Sequence, residues 1–153
     1  MDIEVTHKVI GRMIQRSKRN FAKSSSFSYE VKKLVSELRV FIIFNPRLKT
    51  CAGQANAVTY KEALKMDIDM RYKRYLVDCA RKYLIIEINK DLAQSDPPEE
   101  VYDTVSHELA HCIDFVIRGF RYINGKKRKR GFHDPFWKQL HKAMGGSGNA
   151  TIT

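Results

Sequence analysis

Residues 96–118 constrain the fold more than any other stretch of the chain. Asp96-Pro97-Pro98-Glu99 supplies a capping side chain, a proline at the first helical position and an acid at the third, which together read as a helix start. The predicted helix begins at Pro97 and runs to Arg118, where Gly119 is placed to end it. Val101, Val105, Leu109, Cys112, Ile113 and Val116 recur at three- and four-residue spacing and give it a wide apolar face. At 1.5 Å per residue such a helix is roughly 33 Å long. A core has to be built around it.

The rest of the chain leaves room for one domain. Its 153 residues are about one domain's worth, and no apolar run approaches the ~18 residues that span a bilayer. With 8 Gly and 4 Pro among 43% hydrophobic residues, the composition is that of a folded chain. Asp2 and Glu4 stand where a secretory signal carries positive charge, so the expected location is cytoplasmic or DNA-associated (nucleoid or nucleus), not secreted. Cys51, Cys79 and Cys112 are odd in number and lack CxxC spacing, which argues against a disulfide framework or a zinc ribbon. The net charge of +11 divides as +7 over residues 1–50, −1 over 51–100 and +5 over 101–153. A field concentrated at the two ends favours a polyanionic partner held in a salt-dependent way. No heptad run stands out, and a monomer is expected.

Residues 5–19 read as a basic amphipathic helix, with Val5, Val9, Ile10 and Met13 inward and Lys8, Arg12, Arg16, Lys18 and Arg19 outward. After a serine-rich break, Tyr29, Val31, Leu34, Val35 and Leu38 resume a helical period. Residues 39–44 and 83–89 are rich in β-branched and aromatic side chains and predict strands, while residues 52–58 alternate weakly. Residues 60–82 have no clean period and read as an insertion. The core is expected over about residues 27–146. The basic loop Lys126-Lys127-Arg128-Lys129-Arg130 leads to a second cap, Asp134-Pro135, and to a last helix carrying Phe136, Trp137, Leu140, Ala143 and Met144 as far as Gly145-Gly146. The tail 145–153 is expected to be flexible.

His107-Glu108-Leu109-Ala110-His111 lies inside the long helix with the spacing of a zinc protease signature. Residues four apart share a helix face, so both imidazoles can reach one ion while Glu108 approaches its water. A catalytic zinc needs a third protein ligand. The pattern HExxHxxGxxH fails, because Asp114 stands at the glycine position and Ile117 at the histidine, and no glutamate follows Glu108. His133, His141, Asp114 and Asp134 remain. His133 is favoured, because a turn can bring it back across the long helix. His141, between Lys138 and Lys142, reads as solvent-facing, Asp134 as a cap, and Asp114 either as an acceptor for a ligand imidazole or as a surface aspartate.

The run from Pro98 to His111 resembles the SprT-like (Spartan-like) zinc metalloprotease family. So do Leu84-Ile85-Ile86-Glu87-Ile88-Asn89-Lys90-Asp91-Leu92, the late His133-Asp134-Pro135-Phe136-Trp137 with Leu140 and Met144-Gly145, and Asn45-Pro46-Arg47-Leu48-Lys49-Thr50-Cys51-Ala52-Gly53. The resemblance covers about residues 30–146. It implies a compact zincin-like α+β domain: a small antiparallel or mixed three-stranded sheet packed on the HExxH helix, with further helices. It also implies zinc on His107, His111 and His133, Glu108 as general base, and endopeptidase action on proteins bound or crosslinked to DNA. The family usually has glycine beside the third histidine, where this chain has Phe132 and Asp134. No Cys-rich zinc module follows within the sequence, so DNA contact, single-stranded or junction DNA included, is expected through residues 8–19 and 126–130. Tyr102, Arg121 and Tyr122 are candidate oxyanion donors. The strand 83–89, taken as a sheet edge, is a candidate seat for an extended substrate. The contrasting reading is a nucleic-acid-binding module with a structural zinc and little or no proteolysis.

Overall fold

A computed structural model of the chain describes residues 4–46, 48, 52–58, 83–118, 122–123, 126–127 and 133–149. The expected insertion 60–82 and residues 128–130 of the basic loop lie outside the described residues.

Thr6 starts helix α1 (His7–Ala22) by accepting the amide of Val9 at 3.2 Å, and Ser28 does the same for α2 (Tyr29–Glu37) through Val31. The α1 helix runs three residues beyond the expected end because its inner face continues through Ile10, Ile14 and Ser17 to Phe21, which stacks on Phe27. Strand β1 (Val40–Phe44) follows, then β2 (Gly53–Val58) and β3 (Tyr83–Ile88). The sheet is mixed, in the order β1-β3-β2: β3 runs parallel to β1 (Val40 opposite Leu84) and antiparallel to β2 (Gly53 opposite Ile88). The most apolar strand is therefore central, not the edge the sequence suggested. Its run Leu84-Ile85-Ile86 is buried on both faces, the pattern of a strand flanked on either side. Among the described residues the edges belong to β1 and β2.

Asn89 caps a short helix, α3 (Lys90–Ser95), by accepting the amides of Asp91 and Leu92. Asp96 closes α3 as its C-cap, so the long helix α4 (Pro98–Arg118) begins one residue later than expected, with Pro97 carbonyl accepting from Glu100 and Val101. α4 is buried on nearly all sides from Val101 to Asp114, whereas Val116, expected inside, is 44% exposed. A two-stranded ribbon, β4 (Tyr122–Ile123) with β5 (Lys126–Lys127), precedes α5 (Pro135–Ala143). The core joins Ile10, Ile14 and Phe21 of α1 to Leu84, Ile86 and Ile88 of β3, the inner face of α4, and Trp137, Leu140 and Met144 at the C-terminal end. Asn20 and the Tyr102 hydroxyl both donate to the Met144 carbonyl, at 3.0 and 2.5 Å, and tie α1, α4 and α5 together. No described helix is long and apolar enough to cross a membrane.

The start of the tail is not loose. Gly145 takes a left-handed φ of +84° as α5 ends, and Ser147 donates from its amide and hydroxyl to Asp103 at 2.8 and 3.0 Å.

Candidate metal centre

α4 presents His107, Glu108 and His111 one turn apart in the middle of the molecule, where each is at most 7% exposed. His133 reaches them from the turn before α5, whose first turn is fixed by Asp134 accepting the Trp137 amide at 3.0 Å. The three Nε2 atoms form a nearly equilateral triangle: 3.2 Å between His107 and His111, 3.1 Å between His111 and His133, and 3.0 Å between His133 and His107. Ligand nitrogens around a tetrahedral zinc at 2.0–2.1 Å lie about 3.3 Å apart, so the triangle fits one ion. These histidines are the group of side chains able to hold a metal among the described residues.

The electrostatics suit a cation. Burial, reinforced by the neighbouring histidines His111 and His133, lowers His107 to about 3. Burial and the charge of Lys138 lower His133. Both imidazoles are thus neutral at pH 7 and can offer lone pairs to a cation. Nδ1 of His107 and Oε2 of Glu108 are buried with no hydrogen-bond partner. Orphaned polar atoms are costly and mark sites whose partner arrives from outside. Glu108 lies with Oε1 3.6 Å from Nε2 of His107, and burial pushes its carboxyl up to about 8. A bound divalent cation draws that value down again.

Trp137 is the floor of the site. Fully buried, it packs against His107, His133 and His111 with ring centroids 4.6, 4.7 and 5.2 Å away, and its indole N–H donates to the His107 carbonyl at 3.4 Å. Gly53, the first residue of β2, is the point where the sheet touches the site. A Cβ there would meet Thr104 Cγ2 at 3.1 Å, Glu108 Cγ at 3.2 Å and the Glu87 carbonyl at 3.3 Å, so any other residue would require these neighbours of the site to give by a few tenths of an ångström.

Other expectations are corrected. His141 is not solvent-facing but fully buried: Nε2 lies 2.9 Å from the Ser106 hydroxyl and 3.4 Å from Asp103, and Nδ1 accepts the Gly148 amide at 3.1 Å. It follows Trp137 by one helical turn on the inner face of α5, and Lys138 and Lys142 are the residues that face water. Asp114 is no surface aspartate. It is fully buried, and both its oxygens accept from Arg118, at 2.6 and 3.1 Å. Arg118 escaped the sequence reading, although the i,i+4 spacing from Asp114 is a visible signal. Tyr102 is 2% exposed and engaged at the helix junction, so it is no oxyanion donor. Arg121 and the side chain of Tyr122 lie outside the described residues. On α1, Arg16 pairs with Glu99 and lies over the Tyr102 ring, and Lys18 donates to the Leu38 carbonyl.

The arrangement is that of a zinc metalloprotease active site. Among families, the model that matches is that of the SprT-like family, over residues 12–153. Nothing among curated proteins or solved structures matches the chain.

Proposed function

The chain belongs to the SprT-like family, and on that premise we propose that it is a zinc-dependent endopeptidase acting on proteins bound or crosslinked to DNA. The observation that carries the peptidase reading is the His107–His111–His133 triangle with a buried, partnerless carboxylate oxygen of Glu108 beside it. A purely structural zinc site has four protein ligands and no use for such a carboxylate.

His107, His111 and His133 would hold the ion through Nε2. Bound there, zinc supplies Lewis acidity, an acidified water and a polarised carbonyl. Glu108 accepts the proton from the attacking water at a carboxylate oxygen and returns it to the departing amine. Burial raises the proton affinity of this carboxyl and a bound cation would lower it again, so the two act in opposite directions on a group that must both take and release a proton near neutral pH. Trp137 excludes water from below the site and keeps the His107 and His133 rings from turning. β2 has an open edge among the described residues and meets α4 at Gly53, next to Glu108. An extended substrate segment added to that edge is held by main-chain hydrogen bonds, with little dependence on its side chains. An unfolded or DNA-tethered protein suits such a seat.

The DNA reading rests on the family resemblance and on a refined basic surface. Arg16 is exposed but paired with Glu99 and Lys18 is engaged by the Leu38 carbonyl, which leaves Lys8, Arg12, Gln15 and Arg19 as an exposed stripe. At 100° per residue these four lie within an arc of about 60°, and the stripe is about 16 Å long, roughly five base pairs of duplex. Tethering an enzyme to the DNA that carries its substrate raises the local concentration of that substrate without any new contact to it.

The test is cleavage of a protein substrate by zinc-loaded wild type without DNA, with single-stranded DNA and with duplex DNA, at low and moderate salt. Stimulation by DNA that fades with salt is expected. Cleavage indifferent to DNA would leave the peptidase and remove the DNA-tethered substrate. Zinc and DNA binding without cleavage under any condition would support the binding-module alternative.

A further inference from the structure

His107 and His111 are placed by a helix, but His133 sits in a turn after the chain has left α4 at Arg118 and traversed residues 119–132. A ligand in a turn is only as well placed as the anchors of that turn. Arg118 provides one. Its Nη1 and Nη2 donate to Asp134 at 2.8 and 2.9 Å, while Nε and Nη2 donate to Asp114, one turn back on α4, at 2.6 and 3.1 Å. The Phe136 ring covers the guanidinium at 4.4 Å. Asp134 in turn caps α5 through the Trp137 amide. The residue immediately after His133 is therefore fixed to the end of α4 and to the start of α5 at once.

We propose that Arg118 is a positioning residue for the third metal ligand: by forking between Asp114 and Asp134 it closes the excursion 119–132 and holds His133 against His107 and His111. This rests on the reading of the three histidines as metal ligands, not on peptide hydrolysis. Closing a loop of that length carries an entropic cost, and the fork meets it during folding, so that it is not charged against metal binding. Two bidentate contacts from one planar group also fix direction as well as distance, which an ammonium cannot do. Burial opposes the guanidinium charge, but the hydrogen bonds it donates to Asp114 and then Asp134 outweigh it and keep Arg118 protonated throughout the accessible pH range.

Removing Arg118 leaves Asp114 buried without its cation, so a loss of stability alone would prove nothing. The informative experiment is zinc affinity, by competition with a chromophoric chelator, for wild type, R118Q, H133A and the double variant, with thermal unfolding of the metal-free proteins in parallel. R118Q is expected to weaken zinc by about 10–100-fold. H133A weakens it further, and the double variant binds no more weakly than H133A, because Arg118 acts through the ligand already lost. Asp134→Asn keeps one oxygen to cap α5 and removes the negative charge together with one of the two acceptors for Arg118. It serves if R118Q does not fold, with a smaller weakening that again vanishes on the H133A background. Unchanged affinity in R118Q or Asp134→Asn, or weakening that adds in full to that of H133A, overturns the proposal. A wild type that binds no zinc overturns the metal reading and this inference together, a result distinct from tight wild-type binding beside an unaffected R118Q.

Discussion

Trp137 packs against a group of three histidines and against a fourth, His141, and the two places differ in what their nitrogens face. His107, His111 and His133 turn three Nε2 atoms towards one another at 3.0–3.2 Å, with Glu108 Oε1 3.6 Å from that of His107. His141, with its ring centroid 5.6 Å from that of His107, has both nitrogens satisfied: Ser106 and Asp103 at Nε2, the Gly148 amide at Nδ1. The first place is a site and the second is a joint. The tail is folded onto that joint so closely that a Cβ on Gly146 would lie 2.1 Å from the imidazole. Histidines buried against Trp137 occur in both places, so residue type and contact with Trp137 do not distinguish function from structure. Hydrogen-bond satisfaction does.

The largest expected effect separates chemistry from metal binding within the three-histidine site. Glu108→Gln leaves all three histidines in place, so zinc content should hold while peptide cleavage falls by about 10²–10⁴-fold, the usual contribution of a general base. A peptidase assay with metal analysis on the same preparation checks both. Next, His133→Ala should bind zinc more weakly and His141→Ala should keep the wild-type affinity. Zinc loss of equal size in the two variants, measured by titration, would erase the distinction between site and joint.

The joint should show its role in stability instead. His141→Ala leaves the buried Gly148 amide without its acceptor, at about 1–3 kcal/mol, and Ser106 with the Asp103 carbonyl alone. Thermal unfolding should report a lower Tm with zinc stoichiometry unchanged. A subtler effect has the opposite sign. In the metal-free protein Glu108 is raised from 4.5 to about 8 by burial, so the folded state holds a proton that the unfolded state releases. That cost is absent below the unfolded pKa and grows as pH rises towards the folded one. At pH 7 it amounts to about 3 kcal/mol. Metal-free Glu108→Gln should therefore unfold at higher temperature than metal-free wild type near pH 7–8, with the gap closing near pH 4. The smallest effect lies far from both places. Replacing Lys8, Arg12 and Arg19 by Gln should leave zinc and DNA-free cleavage unchanged and reduce the salt dependence of DNA binding by up to about one slope unit per cation.

What was legible in the sequence follows from how local each signal is. His107, Glu108 and His111 share one helix whose caps and period are written within residues 96–118, so spacing alone brings them together. His133 could be favoured because the Asp134-Pro135 cap marks a turn, but its distance from His111 could not. His141 was misplaced because its lysine neighbours outweighed the period Trp137, Leu140, His141, Met144, which is the buried one. The strand order was hidden for a different reason. Pairing partners of β3 lie tens of residues away in sequence, and only its doubly buried apolar run hinted at a central place. Arg118 joins Asp114, one turn away, to Asp134 across the excursion, and only the first half of that fork has a sequence signature.

The central claim is that three of the histidines packed against Trp137 hold a single zinc with a position left open for chemistry, while the fourth, His141, does not touch it. Zinc X-ray absorption of the loaded protein tests this most directly. The account predicts three nitrogen neighbours and one oxygen at about 2.0–2.1 Å, unchanged in His141→Ala and reduced by one nitrogen in His133→Ala. Four protein ligands with no oxygen, or a first shell that changes with His141 and not with His133, would contradict it.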